Sequence, residues 1–486
     1  MQEAAAHAHL KRLLRQQGEP RWAHHLTLSR LAARSLRRGD HTLVTIAPGS
    51  DPSWMLGLLV PMALSGRGTA LVLSDRLRRR LLQVEAVQIA SAGLPMACWE
   101  GRTPPGDEQC WLLSHQECLA AASAGDLADR PLVIPEGEEL VSSLRQAMTL
   151  TLAAADWERL RRAHPAAGSD LLELHERLTR RVLPAGGAPG GSERVMLRPE
   201  ESEPLRRRLA GLEDLPEPWQ RWLSLPTGSW TSWASVDRPM LQWQWHHQPL
   251  EPLQACAPLF HRRGVIVADS SGLGEPAGLS DGHPAGFAAT VRVQLGTPAL
   301  HDPLPLYLPR QQPLPNGPAY PSHLADACRK LILGRGGLTV VVLDDADLRR
   351  RLLSELAADF GRRVVLEETA PDSNGVLCCG WSWWIEHQNR LPVPDQLVVA
   401  LLPIASLEDP LTAARVEACK RNGNDWFRSL LLPEALATLQ RGTLALRGRE
   451  DARLAILDGR VRARSWGREV LRALEPWQPL LRLRPR

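Results

Sequence analysis

A chain of 486 residues is long enough for two or three domains that each bury a core, and 44% hydrophobic residues is ordinary for a globular protein. No window approaches the roughly 18 uninterrupted apolar residues of a membrane span, and the N-terminus lacks an apolar signal-type core, so we expect a cytoplasmic location. The net charge of +4 does not by itself indicate nucleic-acid binding, and eight scattered cysteines argue against a disulfide framework.

Strands and helices alternate in the first 140 residues. A helix is predicted at HLTLSRLAARSLRRG, whose apolar residues recur three and four positions apart and which closes on a glycine. The strand HTLVTIAPG follows, then the apolar helix SWMLGLLVPMALSG, the strand TALVLSD, and the strand-turn-helix segments QCWLLSHQECL and PLVIPEG. This alternation predicts a parallel sheet that is covered by helices on both faces.

The strand signal disappears between residues 141 and 225. LRQAMTLTLAAADWERLRRAH and LLELHERLTRRVL have the spacing of amphipathic helices, and the Gly-rich segment 184–193 is typical of a flexible connector. Strand-like patterns return at LQWQWHH (241–247) and GVIVADSSG (264–272). We therefore predict a helical insertion within the first α/β domain.

A proline-rich passage at residues 303–321 separates this part of the chain from a second alternating region. Strands are predicted at LTVVVLDD, RRVVLEE, GVLCCGW, QLVVALLP and RLAILDG, with helices among them. The fold class that this predicts is α/β, with two tandem domains. The predicted divisions are the first part of domain 1 at 1–140, a helical insertion at 141–235, the remainder of domain 1 at 236–300, and domain 2 at 301–486.

The turn after the first strand, in IAPGSDPSWML, lies where an α/β nucleotide-binding domain would hold phosphates. It offers Gly49, Ser50 and Ser53 as candidate contacts. A working phosphate loop also needs a lysine for the terminal phosphates, and no lysine occurs between residues 12 and 329. Asp51 would bring a negative charge close to the phosphates. These residues favour a turn that does not bind a triphosphate.

The segment PLVIPEGEEL, residues 131–140, has two interpretations. A buried strand that ends in acids can hold magnesium while a second acid activates water, and Glu136 and Glu138 are available for those roles. However, Pro135 stands where the first carboxylate would be, and it has no ligand atom. The alternative is an acidic helix N-terminus, where glutamates interact favourably with the helix dipole. The local pattern favours this second interpretation.

Taken in order, these segments resemble the DinG/XPD branch of superfamily 2 DNA helicases, especially its short cyanobacterial DinG-like proteins. HHLTLSRLAARSLRRGDHTLVTIAPG resembles the entry into the phosphate loop, PLVIPEGEEL falls where the family has DEAH, and GVIVADSSGL falls where it has TSATL. The resemblance is strongest in residues 338–466. There, GVLCCGWSWWIEHQ stands in the place of FWEGVD, LPIASLEDP resembles LPF-x-x-P-x-DP, and LLPEALATLQRG and LAILDGRV resemble the arginine-finger helix and the final strand.

The resemblance implies two RecA-like domains with an arch-like insertion, ATP and Mg bound between the domains, and single-stranded DNA as the partner. Glu136 would activate water, and Arg441 or Arg447 would reach the γ-phosphate. The other residues that the resemblance implies for nucleotide contact are Gly49, Ser50, Ser53 and Gln440.

Several motif positions depart from the family. The phosphate loop has no lysine, Pro135 replaces the Asp of DEAH, and only Glu136 falls on a matching residue. The family's iron–sulfur cluster needs four cysteines between the loop and DEAH, and we expect none here because only three lie there, Cys98, Cys110 and Cys118. Losing two charges that stabilise a transferring phosphoryl group predicts weak or absent ATP hydrolysis.

Three functional hypotheses remain open. The first is a helicase-family protein that binds nucleic acid, with single-stranded DNA as the expected partner, but has lost its motor. Tryptophans would then stack on bases and arginines would contact phosphates, and the candidates are Trp383, Trp384, Arg460, Arg462 and Arg464. The alternatives are an active ATP-dependent DNA helicase and a protein-binding scaffold on a helicase fold. We predict no metal site and no membrane partner.

Overall fold

The structure is a computed structural model. It describes residues 2–16, 18, 22–47, 50–127, 130–185, 194–226, 228–237, 239–260, 264–270, 287–296, 303–388, 390–447, 449 and 451–480. The chain divides into two compact units, Met1–Ala299 and Leu300–Arg486. None of the helices in the described ranges is both long enough and apolar enough to cross a membrane.

The first unit mixes short strands and helices. Its described strands are β1 (Thr42–Ile46), β2 (Ala70–Val72), β3 (Cys98–Trp99), β4 (Cys110–Leu113), β5 (Leu132–Ile134), β6 (Leu150–Leu152), β7 (Arg194–Met196), β8 (Trp230–Asp237), β9 (Gln242–Pro249), β10 (Val265–Asp269) and β11 (Val291–Leu295). Its described helices are α1 (Gln2–Gln16), α2 (His25–Arg38), α3 (Leu56–Leu64), α4 (Asp75–Arg80), α5 (Ala86–Ser91), α6 (His115–Ala124), α7 (Leu140–Met148), α8 (Ala154–Ala163), α9 (Gly168–Ala185), α10 (Pro199–Ala210), α11 (Glu217–Ser224), α12 (Pro252–Ala255) and α13 (Ala257–Phe260).

A parallel seven-stranded sheet forms the centre of the first unit, in the order β11-β1-β10-β5-β2-β4-β3. Successive side chains of a strand point to opposite faces. Val44 and Ile46 accordingly lie in a core with residues of α1, α2 and α3, whereas Leu43 lies in a second core with residues of α6 and α7. Burial on both faces explains why these strands read as nearly continuous apolar runs.

Residues 150–249 include a separate antiparallel sheet in the order β6-β9-β8-β7. Its core with α8 to α11 contains Trp157, Trp219, Trp222, Trp243 and Trp245. This part of the chain therefore differs from the helical insertion that we expected. The strands β6 and β7 are three residues long, too short for an alternating pattern to be visible. The predicted strand LQWQWHH became β9, but it pairs with β8 and β6 rather than with the parallel sheet.

The second unit repeats the parallel architecture. Its described strands are β12 (Leu304–Tyr307), β13 (Thr339–Val342), β14 (Val364–Leu366), β15 (Val376–Cys379), β16 (Gln396–Val399), β17 (Arg453–Ile456) and β18 (Trp477–Pro479). Its described helices are α14 (Tyr320–Leu333), α15 (Ala346–Phe360), α16 (Trp381–His387), α17 (Pro410–Arg421), α18 (Leu432–Arg447), α19 (Arg460–Ala463) and α20 (Gly467–Ala473).

These strands form a parallel sheet in the order β14-β15-β13-β16-β17-β12-β18, with a core on each face. The predicted α/β class is confirmed, and all five strands expected in this half are present. Two further strands were not predicted. β12 lies inside the proline-rich passage, and β18 has only three residues, one of them a proline. β18, which contains Pro479, is the edge strand, as is usual for a strand proline, whereas β12 with Pro305 pairs on both sides.

Candidate functional site

The carboxyl ends of four neighbouring strands, β1, β10, β5 and β2, meet at one edge of the first sheet because all of them run in parallel. In open α/β sheets, ligands bind outside the carboxyl ends of the strands. The predicted phosphate turn follows β1, and Glu136 follows β5. This edge is therefore the place to test whether a nucleotide would fit.

The polar side chains of the turn after β1 form hydrogen bonds within the protein. The Ser50 hydroxyl donates to the carbonyl of Ala47 (2.7 Å), and the Asp51 carboxylate accepts from the backbone N–H of Ser53 (2.9 Å). The Ser53 hydroxyl lies 3.0 Å from Nε2 of His25. The other ring nitrogen of that histidine lies 2.5 Å from a backbone carbonyl and must donate to it, so the neutral imidazole accepts from Ser53. Burial lowers the pKa of His25, which favours this neutral form.

The described residues of this turn offer no cationic side chain to a phosphate. No lysine or arginine lies between residues 47 and 56, and the Asp51 carboxylate caps the short 3-10 turn Pro52–Met55 at the position an anion would need. Pro52 has no N–H to offer, and the side chains of Trp54 and Leu56 are buried. Gly49, the remaining predicted contact, lies outside the described residues.

Glu136, after β5, is bound to the end of the neighbouring strand β2. Its side chain is almost fully buried and accepts from the backbone N–H of Ser74 (2.7 Å) and from the Ser74 hydroxyl (2.8 Å). The guanidinium of Arg76 lies 3.8 Å away. Ser74 is also the N-cap of α4, since its hydroxyl accepts from the N–H of Leu77 (3.3 Å). Glu136 thus joins two strand ends and a helix start, an arrangement that the sequence did not predict.

The next residues join β5 to β10. A Cβ on Gly137 would lie 2.8 Å from a methyl group of Val267 and 3.0 Å from the carbonyl of Ala268, so only glycine fits there. The Glu138 carboxylate accepts from the backbone N–H (3.2 Å) and the hydroxyl (2.8 Å) of Ser270. Burial, followed by the nearby charge of Asp269, raises the pKa of Glu138 to about 7. The sequence signal for the pair Glu138 and Asp269 is that each acid lies at or just after the end of an apolar strand, β5 or β10.

The predicted nucleotide contacts of the second unit make internal hydrogen bonds. The guanidinium of Arg447 donates to the backbone carbonyls of Pro476 (2.7 Å) and Leu474 (2.5 Å), and the Gln440 amide donates to the carbonyl of Ala473 (2.8 Å). Both side chains therefore hold α18 against the segment after α20. Burial lowers the pKa of Arg447. Arg441 is partly buried, and its role at a γ-phosphate stays a prediction.

Of the two predicted stacking tryptophans, only Trp383 keeps part of its surface exposed, and it stacks on His387 with ring centres 4.3 Å apart. Trp384 is fully buried, and its indole N–H donates to the carbonyl of Gly442 (2.7 Å). A Cβ on Gly442 would lie 2.6 Å from the ring of Trp381, so this glycine allows the tryptophans to pack against α18. The expectation that Trp384 stacks on a base is therefore corrected to a role in the core.

The predicted basic residues after β17 differ in availability. Arg460 donates to the buried carboxylate of Asp458 (2.6 and 2.9 Å), and Arg462 donates to two backbone carbonyls after β12 (2.8 Å each). Arg464 and Arg468 are exposed and border a surface cavity of about 600 Å³. Among the described residues, no side-chain hydrogen bond or ion pair engages the guanidinium of Arg464 or of Arg468, so both can contact a phosphate.

No family model matches the chain, but it is similar to several known proteins in part of its sequence. ATP-dependent DNA helicase YoaA of Escherichia coli is 29% identical over 179 residues, which are 34% of this chain and 28% of that protein. The 3'-5' exonuclease DinG of Bacillus subtilis is 25% identical over 259 residues, which are 47% of this chain and 27% of that protein. The matches thus span little more than a quarter of these relatives.

Among solved structures, S. tokodaii Xpd4 has a TM-score of 0.60 at 12% identity and covers 92% of this chain and 97% of its own. An XPD helicase has a TM-score of 0.56 at 12% identity, with 94% and 98% covered. This likeness defines the fold as a tandem RecA-like architecture. The chain is thus similar to proteins named YoaA and DinG in part of its sequence, and to XPD-type helicase structures in its fold.

Proposed function

We propose that this protein binds nucleic acid, with single-stranded DNA as the preferred partner, and that it does so without hydrolysing ATP. Relatives named as a DNA helicase and as an exonuclease support nucleic acid as the partner class. The finer parts of the proposal, single-strand preference and loss of the motor, rest on the residues of this chain.

The turn between β1 and α3 carries the loss of hydrolysis. Phosphoryl transfer depends on cations and backbone N–H groups that surround the phosphates. In this turn the Asp51 carboxylate takes the N–H of Ser53, and no cationic side chain lies between residues 47 and 56. Glu136, the residue that the resemblance implies for activating water, accepts hydrogen bonds from the backbone N–H and the hydroxyl of Ser74. The lysine and the magnesium-binding carboxylate that a nucleotide would need are therefore missing. The remaining carboxylate, Glu136, already accepts two hydrogen bonds from Ser74.

Nucleic-acid binding is supported by the surface around α19 and α20. Arg464 and Arg468 are exposed beside a cavity of about 600 Å³, and arginine suits phosphate through its planar fork of donors. Trp383, elsewhere in the same unit, retains exposed ring surface. A partly exposed ring can stack on an unpaired base, which a duplex does not offer.

Binding and hydrolysis can be measured separately on the full chain. We expect fluorescent oligo-dT to bind without nucleotide and to bind more weakly as salt rises from about 50 to 200 mM, because phosphate contacts release counterions. We also expect no ATP turnover above background with or without oligo-dT. Arg464→Gln with Arg468→Gln should weaken the binding of oligo-dT, and the variant Arg350→Gln with Arg351→Gln on α15 is the matched control.

Each hypothesis has its own outcome. ATP turnover that oligo-dT stimulates and Glu136→Gln abolishes would establish an active helicase-type motor and contradict the loss of hydrolysis. No binding of oligo-dT at low salt would contradict nucleic acid as the partner and leave the protein-binding scaffold. Equal binding of oligo-dT and of a duplex would contradict the single-strand preference alone.

A further inference from the structure

The positive charge of this protein is concentrated at one end of the chain. The first 40 residues contain eight lysines and arginines against three acids, a net charge of +5, whereas the whole chain has a net charge of +4. The remaining 446 residues therefore have a net charge of −1. The cations that lie in α1 and α2 are Lys11, Arg12, Arg15, Arg30, Arg34, Arg37 and Arg38.

The two helices pack as a pair over the first sheet. Leu10 and Leu14 of α1 and Leu28 and Leu36 of α2 are buried in one core. The guanidinium of Arg37, near the end of α2, donates twice to the Glu3 carboxylate near the start of α1 (2.6 and 2.9 Å). The helices therefore run antiparallel, and each is roughly 20 Å long. Their polar sides are held in a fixed arrangement by the buried sides.

The remaining cations of this helix pair are exposed to solvent and form no ion pair with an acid in the described part of the chain. Among the described residues, Arg37 alone of the seven forms an ion pair. Elsewhere, exposed helical arginines such as Arg180, Arg207 and Arg350 each pair with an acid one turn away. A cavity of about 530 Å³ runs along α1 between Lys11, Arg15 and neighbouring side chains.

The cations of α1 and α2 also act on each other. The pKa of His7 on α1 is lowered by burial first and then by the charges of Arg30 on α2 and Lys11 on α1. Arg30 of α2 therefore lies close enough to α1 for its charge to lower the pKa of His7. Like charges without neutralising acids favour an anionic partner.

We infer that the α1–α2 basic face, formed by Lys11, Arg12, Arg15, Arg30 and Arg34, binds the phosphate backbone of a nucleic acid without reading its bases. A duplex carries one phosphate charge per roughly 1.7 Å of axis, so a backbone laid along these helices passes more phosphates than the face has cations. Neither helix contains Trp, Tyr or Phe, so the face lacks the large aromatic rings that serve as stacking platforms for bases. It binds single strands and duplexes alike.

The buried side of α1 argues against a lipid surface as the partner. A helix that lies on a membrane inserts its apolar side between the lipids. In α1 that side, Leu10, Leu13 and Leu14, is buried in the protein, and the exposed apolar residues are only alanines. A rigid polyanion fits the remaining polar surface better.

The experiment uses the full chain with two matched sets of five substitutions to glutamine, which keeps helix propensity high. The test variant changes the α1–α2 basic face, that is Lys11, Arg12, Arg15, Arg30 and Arg34. The control variant changes five exposed arginines that pair with acids on their own helical segments, Arg159, Arg180, Arg207, Arg350 and Arg428. Both variants lose the same charge, and circular dichroism melting checks that both are folded.

We expect the test variant to bind oligo-dT and a duplex at least about tenfold more weakly than wild type in 50 mM salt, and by the same factor. The slope of log affinity against log salt should become shallower by about 2 to 4, since each lost phosphate contact removes roughly 0.7 to 0.9. The control should change neither quantity by more than about twofold. Vesicles containing phosphatidylserine should not sediment the wild-type protein.

This inference rests on the proposed function only in that nucleic acid is the partner, and the two can fail separately. If the test variant and the control bind alike, the α1–α2 basic face is not a binding surface, while oligo-dT binding through Arg464 and Arg468 can still stand. If only the test variant loses binding and the Arg464→Gln with Arg468→Gln variant does not, the inference stands and the proposed site in the second unit fails. Vesicle binding that the test variant loses would overturn the choice of nucleic acid.

Discussion

Glu136, which the resemblance implies as the group that activates water, makes structural hydrogen bonds in the folded chain. Its two oxygens accept from the N–H and the hydroxyl of Ser74, and its side chain is nearly fully buried. Hydrogen bonds to a buried charged group are stronger than those between neutral groups. The contact therefore stabilises the adjacent ends of β5 and β2, regardless of any nucleotide.

We expect Glu136→Gln to lower the free energy of unfolding by about 1–2 kcal/mol, because an amide presents only one acceptor to two donors and turns its NH₂ towards one of them. Ser74→Ala should cost a similar amount, since it removes the hydroxyl donor and the N-cap of α4. Urea unfolding of both single variants and of the double variant gives a cycle. A coupling below about 0.5 kcal/mol would show that the two side chains act independently.

At the scale of residues, the sequence could single out Glu136 but not its partner. The acid follows an apolar strand, which is a local signal, whereas Ser74 lies 62 residues earlier and reaches it only through the pairing of β2 with β5. The same limit applies to the tryptophans. Neighbours in the sequence, Trp383 and Trp384, differ in exposure because they lie on different sides of α16, and composition alone does not separate them.

At the scale of elements, the ends of β5 and β10 bring two acids together. Glu138 follows β5 and Asp269 ends β10, and the strands are hydrogen-bonded neighbours. Burial and the charge of Asp269 raise the pKa of Glu138 from 4.5 to about 7, so the folded protein binds more protons than the unfolded chain between those pH values. The contribution of Glu138 to stability therefore falls as the pH rises from about 4.5 to about 7, whereas buried histidines such as His175 and His247, with pKa values lowered to about 4 and about 3, contribute in the opposite direction.

We expect Glu138→Gln to remove the contribution of this group to the pH dependence, because a neutral amide can still accept from Ser270 and does not ionise. The variant should be more stable than wild type at pH 8, by up to about 3 kcal/mol, and similar to it at about pH 4. Urea unfolding across this pH range measures the effect, and Glu139→Gln on the same turn is the control. A difference in stability between Glu138→Gln and wild type that does not change between pH 4 and pH 8 would contradict the raised pKa of Glu138.

At the scale of elements, buried strands in long apolar runs were predicted correctly, whereas several short strands were missed. TVVV in β13 and QLVV in β16 are apolar on both faces and are recognisable as buried strands. β6, β7 and β18 have three residues each and gain their conformation from strands far away in the sequence. The helices of the insertion were predicted because period 3.6 persists over ten residues or more in α8 and α9, whereas β6 and β7 are too short to show period 2 and the eight-residue β8 was not recognised.

At the scale of the whole molecule, each parallel sheet closes within one unit of the chain. All strand pairs of the second sheet join residues between Leu304 and Pro479, and its two cores draw only on residues of that range. A domain with its own core can fold independently. The sequence suggested a boundary at the proline-rich passage, but β12 inside that passage pairs with both β17 and β18. Where the chain is cut therefore decides whether the second sheet is complete.

We expect residues 300–486, expressed alone, to unfold in one cooperative transition, because the fragment keeps every strand of the second sheet. A fragment of residues 320–486 lacks β12 and leaves β17 and β18 without their shared neighbour, which exposes unpaired strand edges. That shorter fragment should be unfolded or aggregated when circular dichroism and size-exclusion chromatography are used to compare the two. Equal cooperativity in both fragments would mean that β12 contributes little to the sheet, and a longer fragment without a cooperative transition would mean that the second unit depends on the first.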